Sequence, residues 1–241
     1  RTPGSRHQAW ALIVGLAALL ISGVADAEAP EGTVEGPAGE FIMGDPHLLN
    51  AGPAHPIHLD GFAIDKFEVT VGEYQAFVKA TGGKMPAAPA WGWRPKDPMV
   101  NVDHTEAVAY CKSKGKRLPT EAEWEKAARG VEARTFPWDA EIEEKDDLNA
   151  DVANVMGDQD KHATTVPVGS FPLGASVCGV LDMAGNVWEW CADWYGAKYY
   201  KTSPAKNPAG PEKGTDRVFR GGAWNNSIYV LRSAKCSFAP P

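Results

Sequence analysis

The chain has 241 residues, 44% hydrophobic and 23% charged, which is enough apolar matter for one sizeable core and not for two. Its formal net charge is -7, and the opening segment contributes Arg1 and Arg6, so the remainder is more acidic still. No basic block follows, and a nucleic-acid partner needs a cationic face for its phosphates, so that class is excluded. The 25 glycines, 19 prolines and nine tryptophans predict long irregular loops pinned by large aromatic anchors.

Residues 1–27 read as a signal peptide or retained membrane anchor. Arg1 and Arg6 form a positive flank, and no charge interrupts Ala9 to Val24. Ala25-Asp26-Ala27 fits a small-x-small cleavage site. The apolar run is shorter than the roughly 20 residues that span a bilayer comfortably. With the positive flank inside, the rest of the chain lies on the periplasmic or extracytoplasmic side, anchored in the inner membrane by residues 9–25. Residues 28–39, small, polar and proline-bearing, read as a linker, and the folded domain is expected over 40–241.

The first strand is expected at Glu40-Phe41-Ile42-Met43, ending at Gly44. A second is expected from Phe62 to Val69, and His55 and His58 fall in an expected strand beside Pro56. Three helices are announced by their caps: Thr70 with Glu73, Asp103 with Glu106, and Thr120 with Glu123. Tyr74, Phe77 and Val78 give the first an apolar face, Ala107, Tyr110 and Cys111 the second, and Trp124, Ala127 and Ala128 the third. Between the first two helices, Gly82 to Pro98 is a packed loop carrying Trp91 and Trp93. These two are the candidate binding loop, against the plainer reading that both rings fill the core. Residues 139–151 are an acidic, solvated excursion. From 165 onward the chain is dense in turns.

Cys111, Cys178, Cys191 and Cys236 do not have the spacing of a zinc site. An oxidising compartment would permit one or two disulfides, with the pairing open. His55 and His58, three apart on a strand, point to opposite faces, which is poor geometry for one metal.

The most distinctive stretches are Gly115-Lys116-Arg117-Leu118-Pro119-Thr120-Glu121-Ala122-Glu123-Trp124-Glu125, Asp182-Met183-Ala184-Gly185-Asn186-Val187-Trp188-Glu189-Trp190 and Arg217-Val218-Phe219-Arg220-Gly221-Gly222-Ala223-Trp224. With Phe41 to Gly44, Asp65 to Thr70, Phe136-Pro137-Trp138 and Pro167 to Ser170, they resemble the formylglycine-generating enzyme, or sulfatase-modifying factor, family. The resemblance runs over roughly residues 36–236 in the family's order. It implies an α+β fold related to C-type lectins, low in regular secondary structure, here preceded by one N-terminal hydrophobic helix.

The resemblance also implies sites. The family's oxidases carry two cysteines five apart, shortly after the Arg-Gly-Gly stretch, which bind Cu(I) and activate oxygen. Soft thiolates select that metal. Here Asn226 stands where the first would be, Cys236 falls too late, and copper is not expected. The family's iron branch takes ligands from an extra helical domain for which this chain has no room. Calcium is expected. One site is formed by Asp182 and Glu189 with the carbonyls of Gly185 and Val187, against the plainer reading that Asn186 and Glu189 satisfy buried backbone groups. A second is formed by Asn154, the Val155 carbonyl, and Asp158 or Asp160. The leading expectation is a non-catalytic, membrane-anchored accessory or structural subunit of a larger membrane complex, such as a redox or respiratory one, with other protein subunits and the membrane as partners. The alternatives are an oxidase acting on a protein cysteine and an exported lectin-like binding module.

Overall fold

The computed structural model describes residues 30–138, 151–157 and 160–241. The proposed anchor at 9–25, Asp158 and most of the acidic excursion lie outside these residues. Among the described residues no helix is long and apolar enough to cross a membrane.

The three capped helices are α1 (Val71–Thr81), α2 (His104–Ser113) and α3 (Glu121–Arg129). Each begins with a reciprocal capping box, from Thr70, Asp103 and Thr120 respectively. In each, the cap side chain accepts from the third backbone N–H while the glutamate reaches back to the cap's own N–H. α1 runs into Gly82 in the left-handed conformation, and α3 stops at Gly130.

Among the described residues, seven short strands make three small antiparallel sheets. β1 (Thr33–Gly36) pairs with β4 (Phe62–Asp65), and β2 (Gly39–Met43) pairs with β3 (His55–Leu59). β5 (Glu189–Trp194), β6 (Arg217–Arg220) and β7 (Cys236–Ala239) form the third sheet in that order. The α+β class and the scarcity of regular structure are as the sequence predicts.

Two expectations are corrected. The stretch read as linker contains β1. Val34 packs against the core around Trp124, and Gly36 leaves room for the Phe62 ring, which a Cβ there would meet at 2.2 Å. The strand expected to run from Phe62 to Val69 ends at Asp65. Beyond it, Lys66 O accepts from Leu181 N at 2.9 Å, which draws the chain off the ladder toward the loop before β5.

α3 is the centre of the domain, and every residue in it except Glu123 is buried. Trp124, Ala127 and Ala128 press on Cys191, Val218 and Cys236 of the third sheet, while Ala122 meets Phe41, Met43, Ile57 and Leu59 of β2 and β3. A helix enclosed on both sides must also satisfy its buried charges. Arg220 supplies the means. Its Nη2 donates to Glu121 Oε1 and to Glu125 Oε2, both at 2.8 Å, and its Nη1 donates to Ser233 O at 2.9 Å. Arg129 Nη1 donates to Glu125 Oε1 and to Gly44 O, each at 2.9 Å.

Of the cysteines, Cys191 and Cys236 are buried and all four are free thiols, so no disulfide forms in this structure. His55 and His58 diverge: His55 Nε2 lies 3.1 Å from Ser203 Oγ, and His58 lies 3.7 Å from Asp60.

Candidate functional site

The loop that leads into β5 is built on positive backbone angles. Asp182 (φ 62°), Gly185 (φ 95°) and Asn186 (φ 57°) coil it tightly. The coil is locked to a second loop, because Asn186 N donates to Asn154 O at 3.0 Å. Gly185 is required at that crossing, since a Cβ there would fall 2.2 Å from the same carbonyl oxygen. The two segments named separately in the sequence are thus one unit.

Asn186 is its hub. Its Oδ1 accepts from Asn154 Nδ2 and from Val166 N, both at 3.1 Å, and its Nδ2 donates to Glu68 Oε2 at 2.7 Å. The plainer reading of Asn186, that it satisfies buried backbone groups, covers only its bond to Val166, since its other partners here are the side chains of Asn154 and Glu68. Glu189 differs: its Oε2 accepts from the indole Nε1 of Trp124 at 2.9 Å, a side chain instead of backbone. Asp182 Oδ2 accepts from Gly169 N at 2.6 Å.

Glu68 completes the group, and the sequence reading assigned it no role. Its Oε1 accepts from Val187 N at 3.1 Å. Its partners lie 118 and 119 residues away, so its role is not written in its local pattern. Glu68 feels the charges of Asp182 and Glu189, and Glu189 feels that of Asp182. Burial first, then the charges of Asp182 and Glu189, push the Glu68 carboxyl well above its ordinary range. Burial pushes Asp182 up to about 6. Burial, with a smaller contribution from Asp182, pushes Glu189 up to about 8. All their hydrogen-bond partners are neutral donors.

This chemistry fits a hard cation. Carboxylate and carbonyl oxygens on a tight glycine-bearing turn are what calcium takes, and a bound cation would offset the cost of burying these carboxylates. In the second loop, Asn154 is buried and its Oδ1 has no hydrogen-bond partner, an orphaned acceptor of the kind a cation would use. Asp160 stands beside it, its Oδ2 accepting from Val155 N at 2.7 Å. Among the described residues no three His, Cys, Asp or Glu side chains converge as a metal cage, so backbone carbonyls such as those of Gly185, Val187 and Val155 would have to share the coordination.

Copper does not fit. The turn after β6 is closed by Asn226, whose Oδ1 accepts from Ala223 N at 3.0 Å and whose N–H donates to Ala223 O at 2.8 Å. Its own carbonyl accepts from Met156 N at 3.0 Å. Asn226 there is a turn-closing residue with no thiolate beside it.

Trp91 and Trp93 part company. Trp93 packs on the cluster of Val71, Tyr74, Met99 and Tyr110, as core filling. Trp91 meets Trp224 edge to face at 5.5 Å, beside the Asn226 turn.

The fold and this pair of interlocked loops define a lectin-like α+β domain with oxygen-donor loops and no thiolate pair at the turn after β6. The chain belongs to the family described as sulfatase-modifying factor enzyme 1-like domain, whose profile matches residues 22–241. It is 35% identical to a formylglycine-generating enzyme of Streptomyces coelicolor, over 86% of this chain and 81% of that protein. It is 32% identical to a hercynine oxygenase of Mycolicibacterium smegmatis, over 81% of this chain and 55% of that protein. The solved structure of PvdO from Pseudomonas aeruginosa superposes with a TM-score of 0.76 at 33% identity, covering 87% of this chain and 88% of that one.

Proposed function

We propose that this chain is a non-copper member of its family that serves as an accessory subunit of a membrane complex, held on the extracytoplasmic side by its N-terminal segment. The observation that carries the reading is Asn226. Where the family's oxidases place a copper-binding cysteine, this chain has an amide whose side chain and backbone close the turn. A soft-metal site cannot be assembled from that donor. In this reading calcium is a structural ion, held by Asp182 and Glu189 with the Gly185 and Val187 carbonyls, and by Asn154, the Val155 carbonyl and Asp160. It staples the two loops together and performs no chemistry.

The relatives named as a formylglycine-generating enzyme and a hercynine oxygenase support a second reading, an oxidase. Cu(I) competition titration of the purified protein, followed by oxygen uptake with a cysteine-containing peptide, separates the two. The accessory reading expects no stoichiometric copper and no uptake above the protein-free rate. One tightly held copper per chain together with peptide oxidation would establish the oxidase instead.

A further inference from the structure

The segment that leaves β4 braces the loop before β5 at both ends. At one end Lys66 O accepts from Leu181 N at 2.9 Å. At the other, Glu68 Oε1 accepts from Val187 N at 3.1 Å. Residues 66–68 thus span the mouth of the coil that runs from Asp182 to Val187. The Asn186–Val187 peptide held by Glu68 lies between the carbonyls of Gly185 and Val187, the two assigned above to the ion.

The pattern of donors explains why a carboxylate stands at position 68. Asn186 Oδ1 accepts from Val166 N and from Asn154 Nδ2, both at 3.1 Å. A backbone N–H only donates, so the Asn186 amide has one orientation and its Nδ2 faces Glu68. Nδ2 donates to Glu68 Oε2 at 2.7 Å and to Val166 O at 3.3 Å. Glu68 therefore meets two donors with two acceptors. An amide at 68 has one acceptor and one donor group, and either way round it sets an N–H against an N–H.

The same lock reaches the second loop. Asn154 Nδ2 is committed to Asn186 Oδ1 and to Thr164 O, which leaves Asn154 Oδ1 as the buried acceptor without a partner. Fixing Asn186 thus fixes which end of the Asn154 amide remains for a cation.

We infer that Glu68 is a positioning residue for the calcium site, whose carboxylate locks the Asn186 side chain and the Asn186–Val187 peptide and so holds the Gly185 and Val187 carbonyls in place for the ion without ligating it. The inference rests on the calcium reading given above and adds to it a residue outside the ligand set. Groups that orient metal ligands from behind are worth about 10–100-fold in metal affinity.

The test uses the purified chain, with calcium binding read by calorimetry and terbium, standing in for calcium, read by luminescence. Trp124 Nε1 donates to Glu189 at 2.9 Å, so an ion held by Glu189 has an indole beside it to sensitise the emission. Lifetimes in H2O and D2O then count the waters on the ion. For E68Q the expected calcium affinity is about 10–100-fold below the parent's, with the water count unchanged. The exchange variant E68Q/N186D should recover most of that loss. There the new aspartate accepts from the new glutamine on one oxygen and keeps the Val166 and Asn154 bonds on the other. Equal affinity in E68Q and the parent would overturn the role and leave the calcium reading standing, as would a Tm lowered by the same amount with and without calcium. One more water on the ion in E68Q would overturn positioning and make Glu68 a ligand. If E68Q does not fold, a folded E68Q/N186D with the affinity lost would overturn the inference, and one with the affinity kept would support it. A parent that takes up neither ion would remove the calcium reading itself.

Discussion

Replacing Arg220 with methionine is expected to be among the most damaging single changes in the domain. The guanidinium is fully buried and holds Glu121 and Glu125 through bonds of 2.8 Å, while Tyr200 Oη donates to Glu121 Oε1 at 3.0 Å. Removing one partner of a buried charge network costs about 3–5 kcal/mol, because the remaining charges are left uncompensated. In a domain of this size that lowers Tm by about 10 °C. Lysine at 220 should fall between, since it keeps the charge and loses the fork that reaches both carboxylates. The double variant R220M/E121M should recover part of the loss, because it removes a buried charge together with a partner and leaves Glu125 paired with Arg129. Thermal unfolding of the four proteins checks this. An R220M Tm within a degree or two of the parent would show that α3 is not held by this network.

Gly185→Ala should damage both stability and ion binding. The residue sits at φ 95°, and the new methyl would fall 2.2 Å from Asn154 O, a backbone atom that also accepts from Asn186 N. Positive φ costs a non-glycine residue about 1–2 kcal/mol, and forced repacking adds about 1–3 kcal/mol. Gly179→Ala is the control: its φ is 85°, yet nothing lies within 4 Å of the added Cβ, so it carries strain without collision. Calcium at about 100 times its dissociation constant should stabilise the parent by about 2.7 kcal/mol. That gain should survive in Gly179→Ala and be lost in Gly185→Ala, where the two loops are pushed apart. A calcium-induced rise in Tm that is equal in both variants would separate the loop crossing from the ion.

These two residues also show which parts of the molecule were legible in the sequence. The helices were, because a capping box is written within four residues, and Thr70, Asp103 and Thr120 each form theirs. The family motifs around α3 and β5 carried the fold class and the Asp182 to Glu189 loop. The strands were legible in part: Glu40 to Met43 lies in β2, His55 and His58 in β3, and Phe62 opens β4, whereas the pairing of strands into sheets was not. Thr33 to Gly36 has linker composition, and becomes β1 only because Phe62 needs the space over Gly36 and Val34 finds the core around Trp124. Glu68 escaped for the same reason, since its role comes from Asn186 and Val187 and not from its neighbours. Arg220 stood inside a quoted motif, but its partners on α3 lie 95 and 99 residues away. Short-range chemistry is visible in a sequence, and pairings set by the tertiary fold are not.

The accessory reading makes one direct demand of the native protein, that it has a stoichiometric partner. Extraction of native membranes in mild detergent, native separation, and mass spectrometry of the bands containing this chain measure that. The account predicts co-migration with the subunits of a larger complex at fixed ratio, with peptides from residues 1–27 still attached. A chain that migrates alone, without that segment, would contradict it.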